Sequence, residues 1–361
     1  MNNINTRSSS NPAVVIAAFL IIIGVLMYAS SFVTPILLAL FITIICAQPI
    51  KWLENKKVPN GVAVLIVLLG IILILFGFGE IIGKSISQFS DDSAFYAKRL
   101  NEIIASIFAT LHGMGFDMSL ETLESNINTT RIMNYSASFL SVIGSLMSNM
   151  LLVIFIMIFM LLELTSFNLK IKAISDTSVE TVNYINRINK SIRQYLGLMT
   201  IISLLTGVLI YIVLTIIGVD YAILWALLAF LFNFIPNIGS ILASIPAVLF
   251  ATIQLGFGGA LWTISSYVAI NMIIGNVIQP QIMGKGLGLS TLVVFISLIF
   301  WGFILGTTGM FLSVPLTMVV KIILEQNKST KWIAILLGTE QEARDIVDRN
   351  KGIANSSLNN S

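Results

Sequence analysis

The stretch from Val62 to Leu75 carries no charged residue and no alternation of apolar with polar positions. A run of this kind can be covered on every side by other protein, or it can cross a bilayer, which takes about 20 such residues. Here it continues to Gly83 with Glu80 as its only charge, and similar blocks recur at Pro12–Ser31, Thr34–Pro49, Met147–Leu164, Gly197–Ile217 and Gly258–Gln279. Charged residues make up only 10% of the chain and hydrophobic ones 57%. A soluble domain has about 25% charge to cover its surface, so membrane helices are the reading that fits. A closed β-barrel needs alternating residues, which these blocks lack. The expected fold is an all-α polytopic membrane protein of about eight transmembrane segments. Two of its elements are broken or hairpin-like, and a small helical insert lies outside the cell membrane.

Several function classes drop out. The net charge is +3 and the basic residues are scattered through loops, which gives no face for a nucleic acid. One cysteine, Cys46, and one histidine, His112, permit no intramolecular disulfide and no Cys/His metal cluster. No cofactor is expected, and no enzyme either. A hydrolase triad would need a histidine beside a nucleophile motif, and Gly284-Lys285-Gly286 lacks the earlier glycine and the Ser/Thr of a phosphate loop. Arg7 is the only positive charge ahead of the first apolar run, so that run reads as a retained helix, not a cleaved signal.

The chain divides into six stretches. Residues 1–83 hold N-terminal membrane helices, with Lys51, Lys56, Lys57 and Pro59-Asn60-Gly61 marking a turn. Residues 84–146 form the insert, where Leu100, Ile103, Ile104, Ile107, Phe108 and Leu111 recur at helical spacing and a second helical run begins near Arg131. Residues 147–169 make a further span. Residues 170–196 are amphipathic, which suits a helix in the membrane interface or one packed on a neighbouring subunit. Residues 197–325 are the C-terminal membrane core, and 326–361 a polar tail expected to be mobile. The basic residues place both termini in the cytoplasm and the acid-rich insert on the opposite side of a bacterial inner membrane.

Two interruptions could carry function. Pro236-Asn237-Ile238-Gly239-Ser240 breaks an apolar pair, and Gly306-Thr307-Thr308-Gly309 breaks another. Backbone breaks at membrane depth survive only inside protein or beside a water-filled cavity, and transporters use such half-helix ends to hold polar solutes. Asn233, Pro236, Asn237, Gly239 and Ser240 are therefore candidates for a solute path. The sequence from Gly239 to Pro246 also resembles that from Gly309 to Pro315, and the topology would orient the two hairpins oppositely, as in inverted transporter repeats. The span between them offers Asn271, Asn276 and Gln279, and the glycine-rich link after it offers Lys285. Glu80 and Glu163 lie near the ends of apolar runs and are the candidates for coupling carboxylates, since no Asp or Glu falls mid-span.

The blocks Phe234–Ser240, Gly275–Ser290, Leu298–Gly306 and Leu312–Leu316, with Phe-Met-Leu-Leu-Glu ending at Glu163, resemble the autoinducer-2 exporter family over nearly the whole chain. The resemblance implies export of autoinducer-2, a small polar quorum-sensing signal, with effects on biofilm formation. It also implies a homo-oligomer, a pentamer being one such assembly. Branches of that family are assigned sodium/proton antiport, so a monovalent cation/proton antiporter is the alternative. A membrane scaffold acting through the insert is a third reading. The expected partners are the lipid bilayer and a small polar solute, with no nucleic acid.

Overall fold

A computed structural model describes residues 12–114, 150–175, 179–236, 238–283, 288–327 and 329–359. They form helices and no strand among the described residues, and the chain is an all-α polytopic membrane protein. The N-terminal helices are α1 (Pro12–Tyr28), α2 (Ser30–Asn55), α3 (Asn60–Asp91) and α4 (Ser93–Gly113). After the insert come α5 (Met150–Ser175), α6 (Val179–Ile217) and α7 (Ala222–Phe232). The C-terminal part holds α8 (Gly239–Ile273), α9 (Gln279–Met283), α10 (Thr291–Gln326), α11 (Lys331–Leu337) and α12 (Glu340–Asn359). Among the described residues, five helical stretches are long and apolar enough to cross a membrane, with shorter apolar helices at Met150–Glu163 and Ala222–Phe232.

Several elements differ from the sequence expectation: α2 runs past Pro49 to Asn55, α5 runs past Leu164 to Ser175, and the tail expected to be mobile holds α11 and α12, with Glu342 paired to Lys321. Two further differences have a clear physical reason. Helix α3 does not stop at Gly83 but runs on to Asp91. Ile82, Ser85 and Phe89 keep one buried face at helical spacing, and Lys84 pairs with Glu80 on the outer face. The amphipathic stretch and the following span are likewise one helix, α6. No proline interrupts it, so its interior hydrogen bonds continue from the polar end into the apolar one. The expected helix over Leu100–Leu111 is α4. The second run, from Arg131, lies outside the described residues.

Buried apolar side chains gather in three clusters. One joins α2, α3 and α5 through Ala39, Ala63, Val64, Met157 and Leu161. A second joins α2, α6 and α10 through Phe41, Tyr195, Met199, Leu312 and Val314. The third joins α3, α4, α6, α7 and α8, with Tyr96, Leu214, Leu228 and Phe250 at its centre. Meanwhile Leu73, Phe76, Leu151, Phe155, Ile216 and Phe303 stand on the outside, each more than half exposed. A soluble protein does not display so much contiguous apolar surface, so these side chains meet lipid.

The long C-terminal helices are interrupted by glycine. In α8, Gly256 has φ 72° and ψ −164°, and in α10, Gly306 has φ 65° and ψ −150°. Only glycine adopts this region without strain. A Cβ on Gly259 would lie 2.3 Å from Leu255 Cβ, and one on Gly309 2.8 Å from Leu305 Cβ. Side chains four apart in a regular helix are about 5–6 Å apart, so the chain folds sharply at both glycines. Gly256 sits in Leu255-Gly256-Phe257-Gly258-Gly259 and Gly306 in Leu305-Gly306-Thr307-Thr308-Gly309, so the same Leu-Gly-x-x-Gly spacing makes both breaks. Just beyond α8, Ile274–Ile278 widens into a π-turn that ends with the Gln279 N–H donating to the Ile274 carbonyl. Pro280 follows directly. Its ring would clash with the carbonyl four residues back in an α-helix, and the wider turn relieves that clash.

Gly306→Ala and Gly256→Ala should each lower stability by about 1–3 kcal/mol, read as a lower thermal midpoint in detergent. Gly70→Ala, in regular helix with open space around its Cα, should show no such loss.

Candidate solute pathway

The first break is a tight hairpin between α7 and α8. Helix α7 ends at Phe232, and Asn233 N–H still donates to the Ala229 carbonyl at 3.0 Å. The turn then closes on itself. Ile235 N–H donates to Phe232 O, Ile238 N–H to Pro236 O and Gly239 N–H to Ile235 O, at 2.8, 2.7 and 3.1 Å. Gly239 is what allows this closeness, because a Cβ there would lie 1.7 Å from the Phe232 carbonyl oxygen. The Asn233 side chain donates to Ser203 Oγ of α6 at 3.0 Å and ties the hairpin to that helix. Pro236 and Ser240 are half-buried at the tip, and Asn237 lies outside the described residues.

The second break has the same construction. A Cβ on Gly309 would lie 1.9 Å from the Trp301 carbonyl oxygen, and one on Gly302 2.9 Å from Met310. Trp301 Nε1–H donates to Thr317 Oγ1 at 3.0 Å. Those two residues are 16 apart in sequence, about 24 Å along a straight helix, so the halves of α10 lie side by side. Each tip thus places one glycine seven or eight residues after the carbonyl that its missing side chain would strike. The sequence likeness between Gly239–Pro246 and Gly309–Pro315 therefore coincides with a likeness of local structure.

Between the hairpins runs the second half of α8, from Phe257. Asn271 is half-buried on it, Asn276 is exposed in the π-turn and Gln279 is half-buried after it. Lys285 lies outside the described residues. No hydrogen bond among the described residues joins Asn233, Ser240, Asn271 and Asn276 to one another. The remaining candidates, Glu80 and Glu163, are exposed and paired with Lys84 and Lys170.

The structure brings forward polar groups that the sequence left unmarked. Thr263 and Tyr267 stand one turn apart on the second half of α8, 0% and 3% exposed, and neither hydroxyl has a partner among the described residues. Asn271 is one further turn along the same face. At the end of α6 near Ile217, Tyr96 O–H donates to Asp220 at 2.8 Å and Tyr221 O–H to Asp92 at 3.0 Å. Gln254 accepts from Asp220 N–H and donates to Gly218 O. Burial, with the hydrogen bonds and charges of Tyr221 and Asp220, pushes the Tyr96 hydroxyl well above the usual phenol range. That group clamps α4 onto the base of the first hairpin. At the other end of α6, Arg187 pairs with Glu325 at 2.7 Å. Lys321, 6% exposed, donates to the Gly288 carbonyl and to Glu342. These residues come from four separate stretches, so spacing could not connect them. The one available sign was a lysine and a glutamate four apart at the end of an apolar run.

A family model described as AI-2E family transporter matches residues 16–329 of the chain. The chain is 39% identical over 333 residues to a Haemophilus influenzae protein that carries the provisional name of a transport protein, with no solute given. That match covers 91% of this chain and 96% of the relative. It is 36% identical over 324 residues to the AI-2 transport protein TqsA of Escherichia coli (strain K12), covering 90% and 94% of the two chains. A Borreliella burgdorferi protein, also provisionally named for transport, is 29% identical over 353 residues, covering 94% and 95%.

Asn233→Ala should leave the fully buried Ser203 hydroxyl unpaired and cost about 1–3 kcal/mol. The thermal midpoint should fall, and adding Ser203→Ala should recover part of the loss. A double variant no better than the additive expectation would show that the two side chains do not act together.

Proposed function

The chain belongs to the AI-2E transporter family, and from that premise we propose that it exports autoinducer-2 or a similar small polar solute and is not an enzyme. The observation that carries the reading is the likeness to an AI-2 transport protein along nine-tenths of the chain. The proposed pathway runs along the second half of α8, between the two glycine hairpins. Thr263, Tyr267 and Asn271 offer neutral hydrogen-bonding groups there, and two of the three are buried without partners. A buried polar group without a partner costs free energy, which a passing hydroxyl or water offsets.

The same features favour a neutral solute over the antiport alternative. Proton and cation relays in membranes use ionisable groups inside the spans. Glu80 and Glu163 are exposed and held by lysines, and the mid-span polar groups are uncharged. We further propose a multi-pass inner-membrane placement with both termini cytoplasmic, a homo-oligomeric assembly as the family resemblance implies, and a contribution to biofilm formation through signal export.

Deleting the gene should raise autoinducer-2 inside the cells and lower it in the medium, and the wild-type chain should restore both. An unchanged distribution would remove autoinducer-2 as the solute. Tyr267→Phe deletes a hydroxyl that has no partner to lose, so it should leave thermal stability unchanged or raised while slowing export. Glu80→Gln and Glu163→Gln should export normally. In everted vesicles, a sodium-dependent pH change abolished by either of those two substitutions would favour the antiporter.

A further inference from the structure

At the end of the molecule that carries α12, α6 and α10 diverge around a cavity of about 200 Å³. On α6, Arg187, Ser191, Gln194 and Leu198 line it at helical spacing, and on α10, Met318, Lys321 and Glu325 do the same. Gly288 and Glu342 close it from the loop before α10 and from α12.

The charges in its wall are already spent on one another. Arg187 holds Glu325 at 2.7 Å, and Lys321 holds Glu342 and the Gly288 carbonyl. Two cations thus face two carboxylates, so the cavity has no net charge with which to select an ion. Hydrogen-bonding capacity nevertheless remains. A lysine ammonium has three N–H donors, and only two of those on Lys321 have acceptors at bonding distance. Glu325 Oε1 stands 3.7 Å away, too far for a hydrogen bond. Ser191 and Gln194 have no hydrogen-bond partner among the described residues. The wall therefore offers a free ammonium N–H, a carboxylate oxygen, a hydroxyl and an amide, with Leu198 and Met318 as an apolar backing. A water occupies about 30 Å³ in the liquid, so there is room for the equivalent of six or seven waters. That suits a small polyol.

We propose that this cavity is a solute-binding site for a small, neutral, polyhydroxylated molecule, at the end of the helix bundle that carries α12. The inference rests on the reading of the chain as an exporter of a small polar solute, and it adds where that solute is first held and why charge is not what selects it. Ser191 and Gln194 would contact the solute hydroxyls, while the Lys321–Glu342 and Arg187–Glu325 pairs would fix the wall.

The test uses the full chain purified in detergent, with Cys46→Ala and Leu198→Cys, so that the single thiol sits on the apolar wall and removes no polar contact. Its labelling rate by a small thiol reagent is measured with autoinducer-2, with a neutral pentose, with inorganic phosphate and with sodium chloride. At ten times its dissociation constant a bound solute leaves about one-eleventh of the sites free, so labelling should slow about tenfold with autoinducer-2 or the pentose and stay unchanged with phosphate or sodium chloride. Adding Ser191→Leu, which fills the space without touching either ion pair, should abolish the protection and leave the thermal midpoint in place. Absence of protection by any neutral polyol overturns the site. So does equal protection by phosphate, and so does protection that survives Ser191→Leu. Protection by the pentose but not by autoinducer-2 keeps the cavity and removes autoinducer-2 as its solute. The gene deletion tests export independently of either result.

Discussion

A membrane core offers no water to an unpaired backbone group, and the cost of leaving an N–H or C=O bare there is several kcal/mol. The C-terminal half of this chain breaks its helices in spite of that cost. It can do so because glycine lets a turn close against its own carbonyls. At Gly239 the Phe232 oxygen occupies the place of a side chain, and at Gly309 the Trp301 oxygen does. Each half-helix then stays packed against its partner and against α6 or α2. Without those close approaches the two hairpins would open.

The second constraint is where charge is allowed. Arg187 and Ile217 bracket a continuous stretch of α6 that is about 45 Å long at 1.5 Å per residue. The hydrocarbon core is about 30 Å thick. The Asp92, Asp220 and tyrosine clamp and the Arg187, Lys321, Glu325 and Glu342 network therefore sit at opposite ends of one helix, with room for the apolar layer between them. Ionic groups gather toward the two ends, with Lys190 and Arg193 within about 9 Å of Arg187 along α6, and further in the polar side chains include the neutral Ser203, Thr206, Asn233, Thr263, Tyr267 and Asn271. Thr206 is paired with the Ile202 carbonyl and Asn233 with Ser203. The buried hydroxyls of Thr263 and Tyr267 have no partner among the described residues, which is what makes them candidates for lining the proposed pathway.

Much of the fold was legible in the sequence, because uninterrupted apolar blocks, glycine pairs and proline each have one strong structural meaning. The run from Val62, the helical spacing of Leu100 to Leu111 and the two hairpins could all be read that way. The ends of α3 and the fusion of two expected helices into α6 could not. Helices leave a membrane by continuing into water as an amphipathic stripe, and composition changes there while hydrogen bonding does not. The pathway was legible only in outline. Asn233 was visible as a polar residue beside a break, but its partner Ser203 lies 30 residues away in sequence. Thr263 and Tyr267 look ordinary in an apolar run, and only their burial without partners sets them apart. Lys321 reads as a mark of orientation until Gly288 and Glu342 are seen around it.

These two constraints together decide what kind of solute the architecture suits. On the proposed pathway an ion would have to leave paired charges at one end, cross a stretch with no carboxylate among the described residues, and be re-solvated at the other. The Born cost of an isolated charge in that stretch would be tens of kcal/mol, with nothing there to offset it. A neutral polyol loses only hydrogen bonds to water, and each can be replaced by a hydroxyl or amide of the wall at a net cost near 1 kcal/mol or less per bond. On the proposed pathway the hydroxyls of Thr263 and Tyr267 would give back part of that loss. The charged networks at the two ends then have a structural task. They tie α4 to the base of the first hairpin at one end and α6, α10 and α12 to one another at the other.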